Sequence, residues 1–597
     1  MANAHAPASA TWAYLRHDLR RRGRSLAVLA VLIGLSSATV LAATAGARRG
    51  DSALDRLLER TRPATIAVLP NEAGFDWDRV RAIPGVEHVA RFAVTSFVIE
   101  GIDEESTEFP YPDDGIMDAI ERPVVLDGRI ADPAQDDELM VTQAFTADTG
   151  LGVGDHLTIH LHTPEQIDQS LLSQAAGPPE GPVIEARIVG VIRSPWFSDT
   201  PGAPGRVIPS PGLFTRHEAN IVGREEAIHL NALVRLADGQ AGIPAFREHL
   251  VDVTGRRDIE FFDLAAMAQH ADEVNAFEAN SLLAFAAAAG VAATVLLGQA
   301  LARTAAVAAA DLEVLRALGF TTALRRSVAS LGPILAGLAG AGLGLAGAIV
   351  ASSHFPTGSA SVFEPSPGRH VDGAVLGIGS LAVVILVAAV STASAQRVAL
   401  GRRRPVASCD SVARRLARAA GVPVPVAVGA QFAFEPGHGA RSVPVRPAIV
   451  GAVTGVLGIV ASLTFGTGIQ GAIDHPERFG QITQIELFLG FNDEDFGPSD
   501  DLVALAADDP DVVSVNDTRQ AVAQIGSQGV ATFAIDTTGE PLRITLVDGD
   551  RPTAGNEIVL APSVADGLGV GLGDRVDLEG TEGDSTFLVT GTGFVLE

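Results

Sequence analysis

The sequence contains no lysine, so all 43 basic residues among its 597 are arginines. This absence excludes a Walker A phosphate site, a Schiff-base enzyme and a Ser-Lys nucleophile, because each of these needs a lysine amine. The single cysteine, Cys409, excludes an internal disulfide framework and a multi-cysteine metal site. Because Cys409 lies in an arginine-rich segment, we interpret it as a reduced thiol without a dedicated role.

Aromatic residues make up only 5% of the chain, yet hydrophobic residues reach 47% and the mean hydropathy is +0.27. A positive mean over so long a chain indicates apolar segments beyond the core of a soluble domain. Acidic residues outnumber basic ones by 71 to 43, which gives a formal net charge of −28. This balance argues against a nucleic-acid-binding protein, which needs a basic face.

Apolar stretches long enough to cross a bilayer, which takes about 20 residues, are the main organising feature. Their interiors carry no charged residue. The first has a rival interpretation as a cleaved signal peptide, but its apolar run is longer than the 7–15 residues typical of such a segment. The predicted spans are residues 26–47, 278–301, 328–351, 372–396 and 447–470.

Arginine clusters orient these spans. Arginine-rich segments alternate with other segments from one span to the next, as a chain that crosses the membrane repeatedly requires. The positive-inside rule therefore places the N-terminus and the arginine-rich segments in the cytoplasm. These segments are residues 1–25, 302–327 and 397–446. The intervening segments 48–277, 352–371 and 471–597 then face outward. The fold class predicted is an α-helical integral membrane protein with five transmembrane helices and two extracytoplasmic domains.

The two large outward segments share a sequence pattern. Glu138 and Asp155 are 17 residues apart, as are Glu557 and Asp574, and both pairs end in a Gly-rich turn. We therefore predict an internal repeat of one span followed by an outward domain, and a dimer or pseudo-dimer through that repeat. The second copy ends before its last three expected spans, and we interpret the sequence as a fragment of a longer protein rather than a truncated gene product.

The outward domain 48–277 has the pattern of a mixed α+β fold. We expect a loop at 164–182, where prolines and glycines cluster. From residue 263 to 289 there is neither Gly nor Pro, so we predict one continuous stalk helix over about 263–302, with a hinge near Asn280 as the alternative. Strands are expected at 65–69, 86–99, 156–162, 184–192 and 228–236, and helices at 77–82, 142–149 and 243–253.

The segment from Asp311 to Phe320 in the inward loop is the most specific short motif. Its helical pattern has a stop signal at Gly319, and Leu312 and Leu315 share one side. A short amphipathic helix parallel to the membrane can occupy a groove of a soluble partner. The alternative is a plain amphipathic connector with no partner.

This chain resembles the FtsX-like ABC transporter permease family with MacB-type extracytoplasmic core domains. The resemblance covers essentially the whole chain and rests on the topology, the Pro-Gly-Val and Gly-Asp turns, and the inward loop. It implies a separate cytoplasmic ABC ATPase as partner. Asp311 departs from the basic or polar residue common in the family, so its role is open. The residues implied to contact the ATPase are Glu313, Leu315, Arg316, Ala317, Leu318 and Gly319.

The family implies mechanotransmission: ATP-driven dimerisation of the ATPase moves the stalks and outward domains without an open channel. The cargo would be a lipid, lipoprotein, peptide or antibiotic. The alternative is a non-transporting regulator that activates an extracellular cell-wall hydrolase or a sensor kinase. We expect no enzymatic activity on this chain and no cofactor. The Ala-, Gly- and Arg-rich, lysine-free composition suggests the plasma membrane of a bacterium.

Other candidate sites are weaker. The G-x-G-x-x-G match at Gly342–Gly347 lies inside a span, where glycine pairs such as Gly340/Gly344 and Gly451/Gly455 favour close helix packing over a dinucleotide site. An acidic segment at 492–501 lacks EF-hand spacing. His156, His160 and His162 fit a solvated strand face better than a metal site, and the recurring Glu138/Asp155 and Glu557/Asp574 fit a structural turn better than catalysis.

Overall fold

The computed structural model describes most of the chain in separate segments. Cys409 and residues 492–493 and 496–498 of the acidic segment lie outside the described residues. The described residues are 6–102, 107–169, 177–199, 205–257, 259–399, 423, 425–426, 445–475, 478, 483–487, 489–491, 494–495, 499–525, 528–539, 544–580 and 583–594.

Within these residues, five helices are long and apolar enough to cross a membrane, judged by length and composition. Each coincides with one of the predicted spans, because an uninterrupted apolar run of good helix formers satisfies its own backbone hydrogen bonds. They are α1 (Ala6–Asp51), α8 (Leu264–Val307), α10 (Thr322–Ala351), α12 (Gly373–Ala399) and α13 (Val445–Ile473).

The predicted stalk is one continuous helix. α8 runs from Leu264 to Val307 without interruption, so the alternative of a break near Asn280 is wrong. Its 44 residues span about 66 Å at 1.5 Å per residue. The same helix therefore contains both the segment that follows the outward domain and the second apolar span.

The chain divides into two compact units, of which the first comprises Met1–Ala53 and Glu273–Phe465. Here α1, α10 and α12 pack around Ile33, Ala336 and Val387. Shorter elements join the long helices: α9 (Ala309–Ala317) lies between α8 and α10, and a 3-10 turn (Ser352–His354) and α11 (Ala360–Phe363) lie between α10 and α12.

Glycine allows α1 and α10 to approach closely, as predicted for Gly340 and Gly344. A Cβ on Gly340 would lie 2.7 Å from the Cβ of Ile33, and one on Gly344 would overlap the hydroxyl of Ser37. The second predicted pair is only half right. Gly451 faces Gln299, but Gly455 has no described neighbour within 4 Å of an added Cβ.

The second unit comprises Leu54–Asp272 and Gly466–Glu597. It begins with α2 (Ala53–Thr61) and a four-stranded antiparallel sheet in the order β12-β1-β11-β2. Two helices cover one face of this sheet through an apolar cluster that includes Trp77, Val80, Phe246 and Leu250. The elements are β1 (Ile66–Leu69), α3 (Trp77–Arg81), β2 (Val86–Ala93), β11 (Leu230–Leu236), α7 (Ile243–Thr254) and β12 (Glu260–Asp263).

A second sheet of the same segment has the order β10-β7-β9-β8-β4, with β6 also paired to β9, and a separate pair joins β3 to β5. Its elements are β3 (Thr95–Ser96), β4 (Val98–Ile99), β5 (Thr107–Glu108), β6 (Val124–Gly128), β7 (Glu138–Val141), α4 (Gln143–Thr149), β8 (His156–His160), α5 (Pro164–Gln169), β9 (Val183–Arg193), β10 (Val207–Pro209) and α6 (Pro211–Val222).

Two expectations for this segment are wrong in detail. The stretch 86–99 is three strands rather than one, because the chain leaves the first sheet after Ala93 and pairs with β8 of the second sheet from Val98. The expected loop 164–182 begins with a helix, α5, whose first residue is Pro164. Proline suits the first helical turn, since it has no N–H to leave unpaired there.

Residues 466–597 contain a sheet in the order β16-β15-β19-β20-β17, with β18 also paired to β20. The strands β15 and β16 form a long antiparallel hairpin. The elements are β13 (Gly490–Phe491), β14 (Glu494–Asp495), α14 (Ser499–Ala507), β15 (Ser514–Ile525), β16 (Gln528–Gly539), β17 (Thr545–Gly549), β18 (Glu557–Leu560), α15 (Pro562–Leu568), β19 (Arg575–Gly580) and β20 (Gly583–Phe594).

The two outward segments share pairing and register. β9 pairs antiparallel with β6 and β8 and parallel with β7, and β20 pairs antiparallel with β17 and β19 and parallel with β18. Gly128 lies opposite Gly190 in one sheet, and Gly549 lies opposite Gly591 in the other. A helix follows the parallel strand in both segments. The similarity therefore extends from sequence to individual strand registers.

Candidate functional site: the inward loop helix and its anchors

The inward loop motif forms α9, which follows α8 after Ala308. The helix ends where predicted: Gly319 has φ +86°, a left-handed conformation that glycine adopts without steric cost. The N–H of Phe320 closes this turn by donating to the carbonyl of Leu315 at 3.0 Å. Thr321 then caps α10 by accepting a hydrogen bond from the N–H of Leu324.

One face of α9 is buried within the chain. Leu312 and Leu315 pack against Val328 of α10, with Tyr14 of α1 and Phe320 beside them. Leu315 is therefore a residue that holds the helix in place, and its side chain is turned away from the surface. A partner that binds the surface of α9 would therefore contact the neighbours of Leu315 on the helix, and Leu315 would act on that partner only through them.

The opposite face of α9 is exposed. Glu313, Arg316, Ala317, Leu318 and Gly319, the other residues implied to contact an ATPase, all lie on the surface of this structure. Val314 belongs to the same face, with 62% of its area exposed, and Leu318 is 70% exposed. Val314 was not among the residues expected at this surface, although its i, i+4 spacing to Leu318 places the two side by side on a helix.

Asp311, whose role the sequence leaves open, is the charged anchor of α9. The Arg22 guanidinium donates to its Oδ2 at 2.5 Å, and Arg21 lies 3.7 Å from its Oδ1. Asp18 approaches the Nε of Arg22 at 3.4 Å, and Arg22 also donates to the carbonyl of Val307 at 3.4 Å. Arg22 therefore links α1 to the end of α8 and the start of α9.

The histidine candidates do not form a metal site. In the part of the chain that the structure describes, no group of three His, Cys, Asp or Glu side chains could hold a metal ion. His156 and His160 lie on β8, but His162 is buried beyond the strand end, and its Nε2 is 3.1 Å from the carbonyl oxygen of Gly177. The expectation of a solvated face is therefore wrong for His162.

The carboxylates that recur in the two halves, Glu138 and Asp155 in the first, form hydrogen bonds that stabilise the fold. Glu138 is buried and accepts hydrogen bonds from Arg129, from Arg187 at 3.1 Å and from the N–H of Asp132. The bond from Arg129 is the main cause that lowers the pKa of Glu138 to about 2. Asp155 instead accepts from the N–H of Gly152 at 2.9 Å within its turn. The two carboxylates thus stabilise separate parts of the fold.

Asp574 repeats the turn contact of Asp155, accepting from the N–H of Gly571 at 2.9 Å. Glu557 differs from Glu138 because it accepts from the backbone and hydroxyl of Thr553, and these bonds lower its pKa. Among the described residues, the equivalent positions thus preserve the turn but not the arginine pairs. Such contacts agree with the structural interpretation of these residues.

Glu121 is a buried carboxyl group that the sequence analysis missed. Its oxygens accept from the N–H of Ala64 at 2.8 Å and from the N–H of Trp196 at 3.1 Å. Burial raises the pKa of Glu121 to about 7. Ala64 precedes β1 and Trp196 follows β9, so Glu121 joins the chain beside the first sheet to the chain beside the second. No local pattern around Glu121 signals this role.

Comparison with known proteins finds no family model and no curated protein that matches the chain. Solved structures similar to it include the extracellular domain of the noncanonic ABC-type transporter YknZ from Gram-positive bacteria, at 11% identity and a TM-score of 0.22 over 33% of this chain and 98% of that one. Another is a domain of a protein described as a permease of Porphyromonas gingivalis, at 14% identity and a TM-score of 0.20 over 33% of this chain and 88% of that one.

Proposed function

We propose that this chain is the membrane permease subunit of an ABC transporter of the FtsX-like, mechanotransmission type. In this proposal a separate ATPase binds α9 from the cytoplasm, and its movement passes along α1 and α8 to the outward domains. The observation that carries the proposal is the two-sided character of α9. Its buried face is fixed to α1 and α10, and its other face presents Val314 and Leu318 to the surface.

The charge distribution supports the assigned direction. Arginines cluster at the ends of the long helices that meet α9, whereas the two large segments assigned to the outside carry most of the acidic residues. The positive-inside rule then places α9 in the cytoplasm, where ATP is available. Because the sequence has no lysine for a Walker A motif, the ATPase activity belongs on a partner chain.

We further infer that residues 471–597 are a second copy of the outward unit. The support is the shared pairing of β9 and β20 with their neighbours, which preserves even the opposed glycines Gly128/Gly190 and Gly549/Gly591. The Asp-Gly turn is preserved in atomic detail: the N–H of Gly128 donates to Asp127 at 2.9 Å, and that of Gly549 donates to Asp548 at 2.9 Å. Two outward units would move together when the spans move.

The decisive experiment is purification of the tagged chain from its native membranes, followed by identification of any ATPase that copurifies. We expect an ATPase with a Walker A motif, and we expect Val314→Asp or Leu318→Asp to remove it. Val153→Asp is the matched control, because Val153 is also an exposed apolar residue but lies in the outward domain. Copurification that is unchanged by the α9 variants would refute α9 as the binding site.

The same experiment distinguishes the two candidate functions of this chain, a transporting permease and a non-transporting regulator. A cell-wall hydrolase or a sensor kinase that copurifies through the 48–277 segment, with no cargo moved by the complex, would favour the regulator. Absence of any ATPase partner from wild-type preparations would refute the transporter, since it depends on ATP hydrolysis by another chain.

A further inference from the structure

The outer loop, residues 352–371 between α10 and α12, is held against the end of α1 by a buried arginine. Arg49 donates through Nε to Glu364 at 3.0 Å. Its other nitrogens donate to the carbonyl oxygens of Ser352, Ser366 and Gly368 at 3.0, 2.7 and 2.9 Å. A buried charge with a partner and several hydrogen bonds is costly to separate, because removal of one partner leaves an uncompensated ion.

Apolar contacts strengthen this attachment to α1. A Cβ on Gly50 would lie 3.5 Å from the Cβ of Ala360, and the ring of Phe355 fills the space beside Gly46 so completely that a Cβ there would overlap it. Arg48 adds an ion pair at 3.2 Å with Asp372, the residue that follows the loop. The loop is therefore attached to residues 46–50, which form about the last turn and a half of α1.

The same loop reaches α8 through one short segment. The hydroxyl of Ser359 donates to Oδ1 of Asn275 at 3.0 Å, and its N–H donates to Oε1 of Glu278 at 3.2 Å. Gly358 precedes it with φ +73°, and a Cβ at this position would overlap the carboxylate of Glu278. Contact with α8 thus depends on a glycine at residue 358.

The contact with α8 is incompletely hydrogen-bonded. Nδ2 of Asn275 and Oε2 of Glu278 are buried and have no hydrogen-bond partner among the described residues. A buried polar group without a partner carries the full cost of its lost hydration. Separation of Ser359 from α8 would let water form hydrogen bonds with both groups. This hydration would offset part of the free energy needed to break the contact. No such gain is available at Arg49.

We propose that the outer loop is a latch, fixed on α1 by Arg49 and detachable from α8 at Ser359. The latch closes when α8 lies beside α1 and opens when the two helices separate on the outward side. Its timing rests on the proposed function, in which a partner ATPase drives that separation. The existence of two latch states depends only on the contacts within this unit.

The test compares two cysteine pairs in the detergent-solubilised full chain, with Cys409→Ser as background. The latch pair is Asn275→Cys with Ser359→Cys, and the anchor pair is Gly50→Cys with Ala360→Cys. Mild oxidation should form a disulfide in both, since the side chains lie within reach. This step shows that each variant retains the fold before labelling begins.

After reduction, the rate of labelling with a maleimide reports opening. We expect the latch pair to react about tenfold faster than the anchor pair, and Gly358→Ala to increase only the latch rate by a similar factor, as a local opening equilibrium predicts. Equal protection of both pairs would overturn the proposal by showing a static loop. Equal reactivity of both pairs would also overturn it, because the whole loop would then detach.

A final arm separates this inference from the proposed function. If an ATPase copurifies, ATP with that partner should change the labelling rate of the latch pair and leave the anchor pair unaffected. A latch pair that opens but ignores ATP would support the latch and contradict its link to the ATPase. The labelling comparison itself needs no partner.

Discussion

Arg22 and Asp311 are 289 residues apart in the sequence and form an ion pair with an N–O distance of 2.5 Å. Arg22 lies in the first helix and Asp311 in the short helix of the inward loop. Because Arg22 also approaches Asp18 and the carbonyl of Val307, one guanidinium joins α1 to the end of α8 and the start of α9. In the proposed function, a push on α9 would therefore reach both of these long helices.

Charge reversal at this pair tests whether it positions α9. We expect Arg22→Asp to weaken copurification of the partner ATPase several-fold, because it places a third carboxylate beside Asp18 and Asp311. The double variant Arg22→Asp with Asp311→Arg should restore most of the binding. A partly exposed pair of this kind is worth about 1 kcal/mol, so the effect should be partial.

Arg21 provides the matched control for that experiment. It carries the same charge one residue earlier, but it is 3.7 Å from Asp311 and its side chain is 65% exposed. Arg21→Asp should therefore change partner binding less than Arg22→Asp. If the two variants are equivalent, or the double variant fails to recover, the pair acts only through general surface charge.

The raised pKa of Glu121 predicts a pH dependence of the outward domain. Its folded-state pKa of about 7 lies above its unfolded value, so the folded form binds more protons between about pH 4.5 and 7. Its contribution to stability is fully present below pH 4.5 and declines as pH rises through 7. Hydrogen exchange of the Ala64 and Trp196 amides, corrected for intrinsic pH effects, should report this loss in the full chain.

Glu121→Gln is the corresponding variant. We expect it to remove this pH dependence and to destabilise the junction by about 1–3 kcal/mol, because an amide offers one acceptor oxygen for two N–H donors. Exchange at His160 on β8 gives an internal reference, because His160 pairs with Val183 at the opposite end of β9 from Trp196. A pH profile that stays unchanged in the variant would assign the effect to another group.

Glu138 predicts the opposite pH response. Its pKa of about 2 lies below the unfolded value, so its contribution is present above about pH 4.5 and is lost as pH falls through 2. We expect Glu138→Ala to increase protease sensitivity of the 48–277 segment strongly, since Arg129 and Arg187 lose their shared partner. Glu557→Ala should have a smaller effect on its own segment, because no arginine that the structure describes pairs with this equivalent position.

The sequence predicts those parts of the fold that depend on the order of residues close together in the chain. The five long helices follow from apolar runs of about 20 residues, and the end of α9 follows from a glycine at residue 319. The continuous α8 follows from the absence of Gly and Pro across its first half. In each case the determining residues are neighbours in the chain.

Contacts between distant segments were not predictable in this way. Leu315 looked like a partner-facing residue, but Tyr14 and Val328 cover it from elsewhere in the chain. The role of Asp311 depends on Arg22, which lies 289 residues away in the sequence and pairs with it. Burial of Glu121 depends on the chain near Ala64 and Trp196, which no local periodicity reveals.

The glycines of α10 allow a direct test of the packing between α1 and α10. Gly340 faces Ile33 closely, whereas Gly342, two residues away, has no described neighbour within 4 Å of an added Cβ. We expect Gly340→Ala to lower the thermal unfolding temperature of the solubilised protein, because overpacking of a close helix contact costs about 1–3 kcal/mol. Gly342→Ala should be neutral or slightly stabilising, since alanine is the better helix former by about 1 kcal/mol. Equal unfolding temperatures for the two variants would show that α1 and α10 are less closely packed at Gly340 than their contacts indicate.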